Sequence, residues 1–197
     1  MKSGYSVDFV GTESGVYAGS PLYPDFDQDH EGHWGWRADE VAARVFEWVS
    51  ETRPEIVLMH LGHNDLFWNQ GIRETREELR TIIEELRRTN PAVLVLLAQI
   101  IPGSPPELDP VRDLNTEIAM LADSLTSPKS PVIVVDQWTG FDPAVDTYDG
   151  THPNEVGERK IAYRWYEALA MLPGQIDRRP PPPRRPSGRV APEGSMN

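Results

Sequence analysis

Three short apolar runs, residues 55–59, 93–98 and 132–136, constrain this chain more than anything else in it. Each is continuous and β-branched rather than alternating, the pattern of strands covered on both faces in a parallel sheet. Stretches with helical spacing follow them. Over residues 72–89, Leu79, Ile82, Ile83 and Leu86 fall on one face with charges opposite. Residues 111–125 form a second such stretch, and 154–172 a third, with Ile161, Trp165, Leu169 and Leu172 along its stripe. A helix is also predicted over 38–50, with Val41, Val45, Phe46 and Val49 together. Strands alternating with helices of this length predict an α/β fold, a three-layer α/β/α sandwich on a mostly parallel, flavodoxin-like sheet.

Residues 5–11 alternate apolar and polar and close on Gly11, which predicts a further short strand. Residues 12–34 are rich in Gly, Pro, Asp and Tyr and are expected to be a long surface loop, a kind of segment that is more often functional than idle. Loops are also expected over 102–110 and 142–151. From Gly174 onward Pro and Arg dominate, so a domain over 1–173 is expected to be followed by a disordered tail or linker over 174–197. The net charge of −12 argues against nucleic acid or an anionic membrane as partner, because phosphate binding needs clustered Lys and Arg. With no Cys there are no disulfides and no thiolate metal sites. No apolar run reaches the length of a membrane span, and residues 1–4 do not read as a signal peptide.

Polar residues capable of chemistry gather where strands are predicted to run into helices. Gly62-His63-Asn64-Asp65 follows the first apolar run, at the carboxyl end of a strand, where open α/β sheets bind ligands. Asp149-Gly150-Thr151-His152-Pro153 precedes the last helix. A carboxylate three residues before an imidazole can accept from its Nδ1–H, fixing the tautomer and leaving Nε2 as a base. Gly35 offers an unobstructed backbone N–H at a helix start, and Asn64 a side-chain amide, a plausible pair of donors to an oxyanion. Each has a plainer reading: Asp149 as a helix cap, Asn64 and Asp65 as turn formers, Gly35 as a loop glycine. Trp34, Trp36, Trp68 and His63 are candidates for lining a cleft, the tryptophans by stacking on sugar rings, with packing the plainer fate for at least one of them. His60, His63 and Asp65, or His30 and His33, raise a metal site, but neither pair matches a zinc helix spacing and the side chains at 60 and 63 diverge. No metal and no cofactor is expected.

Taken in order, residues 7–11, His30-Glu31-Gly32-His33-Trp34-Gly35-Trp36-Arg37, Gly62-His63-Asn64-Asp65 and Asp149-Gly150-Thr151-His152-Pro153-Asn154 resemble the SGNH (GDSL-type) hydrolases. The likeness is greatest to the secreted carbohydrate esterases that remove acetyl groups from polysaccharides, and it covers residues 5–172. It implies an esterase that works by acyl transfer through a serine, on a small-molecule or polysaccharide ester, and a secreted location. It also implies roles: His152 as base, Asp149 as its orienter, Gly35 and Asn64 as oxyanion donors. The family's nucleophile sits in a Gly-Asp-Ser motif directly after its first strand, and this sequence contains no Gly-Asp-Ser. A first strand, nucleophile loop and helix are therefore expected to be missing, on the order of 30 residues. The chain as given is expected to be inactive, with a bare sheet edge open to self-association. A non-catalytic carbohydrate-binding protein and a metal-dependent hydrolase using the His and Asp residues are the rival readings.

Overall fold

The computed structural model describes residues 7–16, 21, 23 and 25–172. Its centre is a three-stranded parallel sheet of β3 (Ile56–Met59), β4 (Leu94–Ala98) and β5 (Val132–Val135), in the order β3-β4-β5. The register pairs Ile56 with Leu94 and Val95 with Val132. β4 is buried at every position, as a strand with neighbours on both edges and helices on both faces must be. Val95 and Leu97 point into the larger core, against Leu79, Ile83 and Leu86 of α4 (Ile72–Thr89) and Leu114, Ile118 and Leu121 of α5 (Val111–Leu125). Leu94 and Leu96 point the other way, to Trp165, Ala168 and Leu169 of α7 (Glu155–Ala170), so the three layers are present. Both α4 and α5 occupy the ranges their spacing predicts.

Five expectations need correction. β3 is not buried on both faces: only Met59 is, and Leu58 is 39% exposed. It is an edge strand among the described residues, and the single helix on that face packs against β5. Residues 7–11 form no strand, and Val7, Phe9 and Val10 are exposed. An alternating segment becomes a strand only with a ladder partner, and here the Phe9 N–H donates to the Asp27 carboxylate instead (3.0 Å). The loop over 12–34 contains a short antiparallel ladder of β1 (Glu13–Ser14) and β2 (Asp29–His30). The helix over 38–50 is two helices, α1 (Ala38–Ala42) and α2 (Val45–Thr52), broken at Ala43 and Arg44. Beyond the break Trp48 joins Val45 and Val49 in the core, while Phe46 lies at the surface under the Arg88 guanidinium. Short helices α3 (His63–Phe67) and α6 (Pro143–Asp146) lie where loops were expected. Tyr5, Ser6 and the tail over 174–197 lie outside the described residues.

Candidate active site

The residues singled out by the sequence sit on the loops beyond the carboxyl ends of β3 and β5 and at the start of α1. Gly35 has φ +79°, a left-handed conformation that favours glycine, and a Cβ there would meet nothing within 4 Å. The Gly35 N–H donates to no group among the described residues. Asn64, in the first turn of α3, donates from Nδ2 to the Trp36 carbonyl oxygen at 2.9 Å. An amide nitrogen carries two hydrogens, so one donor remains.

Asp65, the next residue, has a role that reading it as a turn former misses. It is completely buried, and both its carboxylate oxygens accept from the Ala38 N–H, at 3.0 and 3.2 Å. Burial pushes its carboxyl up from the ordinary value, and the hydrogen bonds from Ala38 and its own backbone oppose that shift. Consecutive residues of α3 thus grip the segment holding Gly35: Asn64 at Trp36, Asp65 at the first residue of α1. The sequence signal available for this was Asp65 standing 27 positions from an uncapped helix start, and nothing local reveals such a partner.

The Asp149–His152 pair has the geometry its spacing predicts. His152 Nδ1 lies 2.8 Å from Asp149 Oδ2, and Asp149 Oδ1 accepts from the backbone N–H groups of His152 (2.8 Å) and Thr151 (3.0 Å). The backbone bond from His152, then its ring, hold the Asp149 carboxyl down at about 2. An ionised carboxylate only accepts, so in the neutral ring this contact selects the tautomer with the hydrogen on Nδ1 and the lone pair on Nε2. Both side chains are open to solvent.

His63 is where the two regions meet. Burial pushes its ring down to about 4, a hydrogen bond with the Ile101 backbone works against this, and the charge of His152 adds to it. The rings of His60 and His63 are 6.2 Å apart, and burial, then His63, lowers His60 to about 3. Each has a buried Nε2 with no partner among the described residues. With Asp65 committed to Ala38, these residues do not converge as metal ligands, and no group of three or more such side chains does among the described residues.

Of the tryptophans, Trp34 is 82% and Trp68 66% exposed. Trp36 instead packs: its ring stacks on His33 at 4.6 Å, and His33 stacks in turn on Trp48 at 4.4 Å. His33 is held on its other side by Glu31, 2.7 Å from Nε2.

Residues 16–160 match the family of GDSL-like lipases and acylhydrolases. A carbohydrate esterase family 3 structure from Talaromyces cellulolyticus superposes with TM-score 0.79 at 33% identity, over 84% of this chain and 81% of that one. The family 3 carbohydrate esterase of Clostridium thermocellum gives TM-score 0.70 at 28% identity, over 84% of this chain and 78% of that one. A protein of Acetivibrio thermocellus, named as a proposed endoglucanase X, is 28% identical over 142 residues. That match takes in 69% of this chain and spans 61% of the relative's length.

Proposed function

This chain belongs to the GDSL-like lipase/acylhydrolase family, and on that premise we propose that it is built to hydrolyse acyl esters, acetyl esters of carbohydrates in particular. The observation that carries the reading is the 2.8 Å contact between Asp149 and His152, whose ring lies close enough to His63, the neighbour of Asn64, for its charge to act there. In this reading His152 Nε2 takes a proton from the attacking hydroxyl and returns it to the leaving alcohol, while Asp149 holds the ring and stabilises the imidazolium. The Gly35 N–H and the second hydrogen of Asn64 stabilise the tetrahedral oxyanion. No cofactor enters these steps. The similarity of two carbohydrate esterases supports the sugar, as do the exposed rings of Trp34 and Trp68, flat apolar faces suited to stacking. Residues 1–173 serve as the hydrolase domain and 174–197 as its tail.

The sequence offers no Gly-Asp-Ser. No residue of these 197 is assigned the attacking hydroxyl, and the second reading is a carbohydrate-binding protein that keeps the cleft. Hydrolysis of p-nitrophenyl acetate and of acetylated xylan decides between them. We expect negligible turnover from the 197-residue chain, and clear turnover from a form in which a Gly-Asp-Ser strand and helix from a related esterase precede it. His152→Ala should abolish that turnover. Equal rates with and without the added segment would show another nucleophile at work and overturn these roles.

A further inference from the structure

The Asp149 and His152 side chains are 54% and 62% exposed, so packing does not hold them where they are. Hydrogen bonds fix the loop instead: in its middle the Ser104 N–H donates to the Gly150 carbonyl (2.8 Å) and the Gly150 N–H to Thr147 Oγ1 (2.7 Å), and one further side chain ties its two ends together. Asn154 donates from Nδ2 to the carbonyl oxygens of Val145 (2.8 Å) and Thr147 (3.1 Å), before the loop. Its Oδ1 accepts from the N–H groups of Val156 (2.9 Å) and Gly157 (3.2 Å), after it. Its own backbone N–H donates to the Asp146 carbonyl at 2.9 Å. Every hydrogen-bonding valence of the Asn side chain is in use. The loop between is drawn shut by a bridge pairing Thr147 with Pro153 and by the Tyr148 N–H donating to the His152 carbonyl, 2.9 Å. At Gly157 the Asp146 carbonyl approaches so closely that a Cβ has no room, which lets α7 come up against the loop's root.

We propose that Asn154 is a positioning residue for His152: beyond capping α7, it closes the loop and thereby keeps the imidazole on Asp149. The claim rests on the reading of His152 as the base for its consequence, and on geometry alone for its test. A helix cap needs only the acceptor oxygen; closing the loop needs the two amide hydrogens, which a cap does not use. Asn154→Asp keeps the acceptor and loses the donor. Asn154→Ser keeps a capping oxygen without adding charge and is too short to reach both carbonyls.

The readout is the tautomer of His152, followed by ring ¹⁵N spectra of the 197-residue chain at a pH where the ring is neutral. The bond to Asp149 selects the Nδ1–H form, whereas an unheld ring divides between its two tautomers. We expect the wild-type ring to give the Nδ1–H signature, and Asp149→Asn to relax it toward a mixture. Asn154→Asp and Asn154→Ser should both shift the ring the same way as Asp149→Asn while keeping the helical circular dichroism of the wild type. Unchanged ring signals in both variants would overturn the proposal. So would loss of the fold together with the ring signal, since that would reduce Asn154 to a structural cap. None of these measurements requires turnover, so failure of the ester-hydrolase reading would be seen separately in the assay.

Discussion

Asn64 and Asp65 show how adjacent side chains divide labour: one spends half its amide on the Trp36 carbonyl, the other its whole carboxylate on Ala38. Asn64→Ala should therefore lower kcat by about 10²–10³-fold in the serine-bearing form, through the lost oxyanion donor, with a small change in denaturation midpoint. Steady-state kinetics and urea titration on the same samples check this. His60 and His63 make a pH prediction. Burial lowers both rings, from 6.5 to about 3 and about 4, so the folded chain resists protons that the unfolded chain takes up. Their contribution is complete above about pH 6.5 and is lost as the pH falls toward about 4 for His63 and about 3 for His60, at most about 1.4 kcal/mol per pH unit for each ring. Glu78, raised by burial to about 7, acts oppositely between its ordinary value and neutrality. The test is therefore a difference. Between pH 6.5 and 4.5 the stability of His60→Gln/His63→Gln should fall less steeply than that of the wild type, by urea denaturation.

Among the elements, α4 packs its apolar stripe into the larger core, against α1, α2 and α5. Its stripe of Leu79, Ile82, Ile83 and Leu86 is 0–2% exposed, with Arg76, Glu77 and Arg80 on the surface. Leu79→Ala should cost about 2–5 kcal/mol, because a fully buried side chain leaves a cavity its neighbours only partly fill. Arg80→Ala, which removes a surface ion pair, should cost less than about 1 kcal/mol. Thermal and urea unfolding of the two variants side by side would test the contrast. At this scale the sequence was legible where one periodicity decided the outcome, as in α4 and α5. It was not legible in α1 and α2, where a tertiary demand, burial of Trp48 beside His33, overrode a single continuous stripe.

At the scale of the whole molecule the sheet has two outer strands among the described residues, β3 and β5. β4 is enclosed, while β3 presents an unpaired edge among the described residues and an exposed Leu58. Unpaired edges recruit other strands. The 197-residue chain should accordingly self-associate with rising concentration, and Leu58→Lys, which sets a charge beside that edge, should suppress the association. Sedimentation velocity over a concentration series measures it. A monomer at every concentration, for wild type and variant alike, would remove β3 as a docking edge.

The sequence by itself determined the layering and the Asp149–His152 contact. Continuous apolar runs and 3.6-residue stripes are local signals, and so is the Asp149–His152 spacing, because a carboxylate three residues from an imidazole reaches it through one turn. What only the tertiary structure decided were contacts between distant segments. Asp65 fastens the start of α1 across 27 residues. Trp36 is stacked into the core while Trp34 stays in solvent. Residues 7–11 carry a strand's alternation without a ladder to join. In each case the outcome depends on what the fold brings alongside, and a local pattern specifies a residue's preference without naming its neighbour.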